Sequence, residues 1–230
     1  MDKTNQFKPA SKFAVEALKS NSFEAFLIGG SVRDFIMNLP IGDIDITTNA
    51  TPTQVKEVFK NFRVIETGIK HGTVTVIIDN EPIEITTYRS EGTYSDNRHP
   101  DKVTFTKNII DDLARRDFTI NAMAADIDGN IYDLFSGIDD IKRKTIRAVG
   151  DPYKRFSEDA LRILRAFRFA AQLEFEIEPF SSLASPALKE PVPIQFLKVL
   201  PDVVFQFQFR IPPQFAYKDL RYKNIEDKIS

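Results

Sequence analysis

A strand-like apolar run that ends on two glycines constrains this chain more than any other feature. Phe23–Ile28 is followed by Gly29-Gly30, then by SVRDFIMN, then by Pro40. The run reads as a strand, and Ser31–Asn38 as a short helix that Pro40 stops. Turning on Gly-Gly lets the backbone approach a ligand with no Cβ in the way. The helix then aims its free N–H groups and positive dipole end at the same place. Gly29, Gly30 and Ser31 are therefore a candidate anion cradle, and Arg33 adds a fork suited to phosphate oxygens. Gly-Gly is also a common tight turn, so the neighbouring residues must decide.

Those neighbours are acidic. If Ile44–Thr47 is a strand, Ile44 and Ile46 face one side while Asp43 and Asp45 face the other. Two carboxylates on one face repel unless a cation sits between them. Hard oxygen ligands suit Mg²⁺, which takes one or two carboxylates together with substrate phosphates. In Ile83-Glu84-Ile85-Thr86 the same alternation sets Glu84 opposite the isoleucines. If the two strands are neighbours, Asp43, Asp45 and Glu84 converge as a two-metal clamp for in-line displacement at phosphorus. A bare D-x-D is usually an ordinary exposed pair; its closeness to the glycine turn is what describes a metal–triphosphate pocket.

The remaining pattern alternates helix and strand. Residues 8–20 read as a helix with Phe13, Ala17 and Leu18 toward the core. Thr51-Pro52 opens another, running through Lys60. Thr73–Asp79 and Ile83–Tyr88 read as strands split by a hairpin signal at Asn80-Glu81-Pro82. Gly92–Pro100 is a polar loop, and Ile109–Ala125 reads as helical with a break near Asp117. A turn at Asp128-Gly129, a short strand and a loop fill 126–150. Tyr153–Leu173 is the longest helical pattern, with positions 160, 163, 164, 167, 170 and 171 on its core side.

Composition narrows the class. The chain has 230 residues, 42% hydrophobic and 28% charged, as globular proteins do. It has no cysteine, which excludes disulfides and thiol chemistry and fits a reducing compartment such as the cytoplasm. No secretory signal is evident, and no apolar stretch approaches the ~18 residues of a membrane span. His71 and His99 are too few and too isolated for a metal or a triad. Net charge is −2, yet Lys142–Arg168 holds nine basic residues against three acidic ones. Such a stripe suits phosphates, and it equally suits a solvated helix face. The end differs in kind: all nine glycines lie at or before Gly150, whereas seven of thirteen prolines lie from Pro179 onward. Within it, Val204–Phe209 alternates like a strand with no obvious partner.

GG-S-V-R-D followed by G-D-I-D-I resembles the signature of the polymerase β-type nucleotidyltransferases. Four later segments narrow the resemblance: TTYRSEGTYSDNRHPDKVTF (86–105), DDLARRDFTINAMA (111–124), GIDDIKRKTIRAVGDPYKRF (137–156) and SEDALRILRAFRFAAQLEF (157–175). Together they resemble the bacterial class of CCA-adding tRNA nucleotidyltransferases, with bacterial poly(A) polymerase as the close relative. The match runs in order over residues 10–178. It implies an α+β fold: a nucleotidyltransferase head with a mixed β-sheet flanked by helices (1–150), then the start of an α-helical neck with a base-reading helix (151–178). Residues 179–230 are atypical, and the family's body and tail are not evident, as in a truncated or frame-altered product.

The resemblance also implies chemistry. CCA is added to the 3′ end of tRNA from CTP and ATP with release of pyrophosphate, Asp43 and Asp45 hold Mg²⁺, and Glu84 is the third acid. Arg116 touches the nucleotide, and Asp117, supported by Asn121, accepts from the ribose 2′-OH, which favours NTP over dNTP. Asp159 and Arg162, neighbours at i,i+3 on a helix, read the base. A carboxylate accepts from the exocyclic amine of C or A while a guanidinium donates to the ring nitrogen, and U and G reverse that pattern. Arg165 and Arg168 join the nucleotide site. The loop at 89–100 looks complete, which in that family favours full CCA or A addition. Poly(A) polymerase and A-only or CC-only enzymes are alternatives, and a catalytically inactive nucleotide- or RNA-binding fragment is an alternative of another class. Expected partners are tRNA, CTP and ATP, with no membrane and no protein partner.

Overall fold

Seven strands form one mixed sheet, in the spatial order Arg63–Ile65, Thr73–Ile78, Glu81–Thr87, Asp45–Thr48, Ala25–Ile28, Met123–Ala125, Ile131–Asp133. The computed structural model describes residues 7–92, 103–159 and 161–178. All of them lie in Met1–Leu183, the first of the two units into which the chain divides. In chain order the elements begin α1 (Pro9–Ser20), β1 (Ala25–Ile28), α2 (Gly30–Met37), β2 (Asp45–Thr48), α3 (Pro52–Val58), β3 (Arg63–Ile65), β4 (Thr73–Ile78) and β5 (Glu81–Thr87). A ribbon of β6 (Arg89–Glu91) and β7 (Val103–Phe105), α4 (Ile109–Ala114), β8 (Met123–Ala125), β9 (Ile131–Asp133) and α5 (Gly137–Arg143) follow. The last described elements are β10 (Thr145–Ile146), α6 (Pro152–Glu158), α7 (Leu161–Leu173) and β11 (Glu176–Ile177). Among the described residues no helix is long and apolar enough to cross a membrane.

Period-two burial builds the sheet. Val74, Val76 and Ile78 of β4 face the core with Ile83 and Ile85 of β5, Ile46 of β2 and Leu27 of β1. Ala10, Ala14, Val15 and Leu18 of α1 and Val55 of α3 cover that face. Phe13, expected inward, is 44% exposed and meets only the edge of the core through Phe62. α3 starts on a capping box: Thr51 Oγ1 accepts from Gln54 N, and Thr51 N donates to Gln54 Oε1. β4 and β5 join through Asp79 and Asn80, both with positive φ (50° and 64°), the two-residue turn that matches strand twist. On the opposite face α4 packs Leu113 against Ile28 and Ala124.

Four elements differ from expectation. Ile109–Ala125 is not one helix: α4 ends at Ala114, Thr119–Asn121 makes a 3₁₀ turn, and Met123–Ala125 is a strand paired with β1 and β9. All three strand residues are buried, so the segment shows no alternation to tell strand from helix. Tyr153–Leu173 is two helices, with Asp159 in extended backbone (φ −144°, ψ 106°) between them. The buried face of α7 is Arg162, Ala166 and Phe169, whereas Phe167 is 56% exposed. Polar heads anchored at the site draw the arginine stems inward, so apolar count alone misplaces the face. β3 had no sequence expectation, and α5 stands where a loop was expected. The expected strand at 204–209, His99 and most of the loop at 89–100 lie outside the described residues.

α5 is fixed by its first residue. Asp133 accepts from Gly137 N (2.8 Å) and Ile138 N (2.9 Å). A Cβ on Gly137 would stand 2.3 Å from Thr119 O and 2.8 Å from Met123 Sδ. Gly137→Ala must therefore push helix and strand apart, and a loss of about 2 kcal/mol or more is expected in denaturant unfolding.

Candidate active site

The glycine turn, the acid strand and an arginine meet at one point. Gly29 has φ +75°, a backbone that L side chains rarely adopt. A Cβ there would stand 3.0 Å from Arg116 Nη1 and 4.0 Å from Asp45 Oδ2. α2 begins directly after it and presents its first N–H groups. Ser31 Oγ donates to Ile28 O (3.0 Å), so that hydroxyl closes the turn.

The acids come from adjacent strands. β2 pairs with β5 in parallel, setting Asp45 opposite Glu84, and antiparallel to β1, setting Asp45 opposite Ile28. Asp43 is not in the strand as expected. β2 begins at Asp45, and Asp43 sits in a bend after Gly42, exposed to solvent. Asp45 can be reached by solvent, yet the protein around it hinders its charging, and the fields of Glu84 and Asp43 add to this. Its pKa rises to about 6 against the opposing pull of Arg116. Among the described residues no three His, Cys, Asp or Glu side chains are gathered closely enough to hold a metal ion by themselves. The acids thus share one field without forming a preassembled cage. The donor set still fits a hard divalent cation that draws further ligands from phosphate, because a cation relieves the repulsion that raises Asp45.

Cations surround the other side. Arg33 donates through Nε and Nη2 to Asp34 Oδ1 (2.9 and 2.7 Å) and through Nη1 to Asn121 Oδ1 (2.9 Å). Of its five N–H groups, two remain for another acceptor. Arg33, Arg165 and Arg168 all lie 5.0–5.5 Å from the centre of the Phe169 ring. Arg165 Nε donates to Asp117 Oδ2 (2.6 Å), while Asp117 Oδ1 accepts from Phe118 N (2.9 Å). Arg116 and Arg168 each bury an Nε with no acceptor, and burial lowers the pKa of both. Arg116, beside the glycine turn, and Arg168, over Phe169, thus carry unmet donors suited to an anion.

Asp159 and Arg162 do not share a helix. Asp159 ends α6 and accepts from Leu161 N through Oδ1 (2.9 Å). Arg162, buried, donates to Glu158 Oε2 (2.8 Å) and Arg155 O (3.0 Å). Asp159 thus caps the start of α7 from extended backbone rather than standing within that helix, and Arg162 N donates to Asp159 O (3.1 Å).

Two residues were missed. Asp112 is fully buried and collects donors from β2, β6 and α4. Arg155 of α6 donates to Ala114 O (2.6 Å), Arg115 O (3.3 Å) and Val149 O (3.1 Å), closing the carbonyl end of α4 just before Arg116. A signal existed for Asp112: D-x-x-R-R at a helix end sets a carboxylate below two arginines.

The family model described as "Poly A polymerase head domain" matches residues 25–147. The chain is 48% identical over 204 residues to a CCA-adding enzyme of Enterococcus faecalis (strain ATCC 700802 / V583), a pairing that covers 85% of this chain and 50% of that relative. It is 55% identical over 164 residues to one of Lactobacillus helveticus (strain DPC 4571), covering 71% and 41%. The chain spans about half the length of these curated relatives. Among solved structures, the Bacillus stearothermophilus CCA-adding enzyme in complex with CTP aligns with TM-score 0.70 at 36% identity, over 86% of this chain and 49% of that one. A tRNA nucleotidyltransferase complexed with a primer tRNA and an incoming ATP analog aligns with TM-score 0.58 at 26% identity, over 89% and 64%.

Asp45 makes a pH signature. Its folded-state pKa of about 6 exceeds the ordinary carboxylate value, so the folded chain binds this proton more tightly than the unfolded one. Ionised Asp45 therefore destabilises the fold, fully above pH 6, and the cost fades as pH falls toward 4. In chelator, Asp45→Asn should raise the melting temperature at pH 7, with the gain shrinking below pH 6 and absent near pH 4. A gain independent of pH would contradict this origin.

Proposed function

Since this chain belongs to the poly A polymerase head domain family, we propose that it carries the catalytic head of an enzyme that adds CCA to the 3′ end of tRNA from CTP and ATP. One observation carries the reading. A Cβ's reach from Gly29 lie both the Asp45 carboxylate and the Arg116 guanidinium, so groups for a cation and for phosphates meet at one backbone turn. Relatives named CCA-adding enzyme, about half identical in sequence, favour CCA over the poly(A) addition in the family's description.

In this reading the turn at Gly29-Gly30 and the start of α2 receive the triphosphate, Arg33 offers its two remaining donors, and Arg116 and Arg168 offer their unmatched ones. Asp43 and Asp45 hold Mg²⁺, with Glu84 beside them as the third acid. Mg²⁺ bound there supplies Lewis-acid polarisation of the α-phosphate and favours ionisation of the attacking hydroxyl. The RNA 3′-oxygen forms a bond to the α-phosphorus, the bond from α-phosphorus to the bridging oxygen breaks, and pyrophosphate leaves with that oxygen. Asp117, steadied by Arg165, takes the ribose hydroxyl side, and Asn121 supports Arg33. Asp159 and Arg162 select C and A, with Glu158 holding Arg162 when no base is bound. The exposed basic residues of the stripe, Lys142, Arg143, Lys144 and Lys154, meet RNA phosphates. A chain without cysteine suits work in the cytoplasm.

Incubation with tRNA ending at the discriminator base and each labelled nucleotide tests this. Addition of C, C and A is expected; a long A tract would indicate poly(A) polymerase, and binding of nucleotide without incorporation would indicate an inactive fragment. Asp45→Ala should cut incorporation at least about a hundredfold. Unchanged incorporation would remove the metal assignment.

A further inference from the structure

We infer that Asp112 is a positioning residue that holds Arg116 over the glycine turn and thereby sets nucleotide affinity; the inference rests on the nucleotide-site reading above. Asp112 lies on the last turn of α4, wholly enclosed. Its Oδ1 accepts from Arg115 Nε (2.9 Å) and Arg89 N (3.3 Å) and pairs with Arg115 Nη2 (2.9 Å). Its Oδ2 accepts from Thr47 Oγ1 (3.2 Å) and stands 3.8 Å from Arg116 Nη2.

This arrangement has a direction. Thr47 is two residues beyond Asp45 on β2, so it lies on the same face. One carboxylate thus grips the acid strand through Thr47 and Arg116 from behind, and the far side of Arg116 meets Gly29 and Asp45. Arg115 and Arg116 are adjacent like charges, and Arg115 opposes the charging of Arg116. Asp112, with Asp45 and Asp117 adding to it, favours the charged form of Arg116 beside Arg115. Arg116 makes no hydrogen bond at Nε, so the long-range hold of Asp112 leaves its donors for a ligand.

The test is a double-mutant cycle on equilibrium binding of CTP and ATP to the full chain, with wild type, Asp112→Asn, Arg116→Gln and the double variant. If Asp112 acts through Arg116, each single change weakens binding about tenfold and the double is no weaker than Arg116→Gln alone. A merely structural role gives losses that multiply, and that result overturns the inference. Should Asp112→Asn leave the chain unfolded by circular dichroism, Thr47→Val removes one grip while keeping the charge. It should weaken binding about threefold in the Arg116 background and not at all in Arg116→Gln; equal losses in both overturn the inference. Incorporation by the same wild-type sample is read separately. Binding with coupling but no incorporation removes the catalytic reading and leaves Asp112 in place, whereas incorporation with multiplying losses removes only Asp112. A wild-type chain that binds neither nucleotide overturns both.

Discussion

Parallel pairing of β2 with β5 in a single register is the constraint on which the site depends. Asp45 stands opposite Glu84 and Ile46 opposite Ile85, so two carboxylates share one face while two isoleucines share the core. A slip of one residue would send Glu84 into the core and Ile85 into water. Parallel neighbours need a crossover, and here it runs through α3, β3 and β4. The capping box of α3 and the positive-φ turn at Asp79-Asn80 set where that crossover begins and ends. β1 then closes against the other edge of β2, with Ile28 opposite Asp45, and this brings Gly29 to the acids.

The resulting site concentrates unrelieved charge of both signs. Burial, and then the fields of Glu84 and Asp43, raise the cost of ionising Asp45. Arg33, Arg165 and Arg168 crowd one phenylalanine ring, and Arg115 stands against Arg116. Neither cluster is what stability alone would select, since like charges in partial burial oppose folding. A metal-bound triphosphate would complement both at once, with the cation among the carboxylates and the phosphates among the guanidinium groups. Local rules broken together in one place are characteristic of a functional site.

The head is braced from outside the sheet. Arg155 of α6 closes the carbonyl end of α4, and Glu158 joins Arg155 to Arg162. Phe118 meets Phe169 edge-on at 5.8 Å, so the turn carrying Asp117 rests on α7. The helix that supplies Arg165 and Arg168 is therefore positioned by packing and by hydrogen bonds to the segment that supplies Arg116 and Asp117.

What the sequence by itself determined is local or periodic. Gly29-Gly30 at a strand end announced its turn, because only glycine tolerates that backbone. The alternation in 83–86 placed Glu84 away from the isoleucines, because a strand has period two. Runs buried on every side carry no period, so Met123–Ala125 read as helix until the sheet closed around it. Only tertiary structure decided that Asp43 lies in a bend, that Asp159 and Arg162 fall on either side of a helix break, and that Asp112 is enclosed. The same holds for Arg33, whose partner Asn121 is 88 residues away along the chain. Burial pattern is written along one dimension, whereas a polar side chain takes its partner from whatever folding brings within about 3 Å of it.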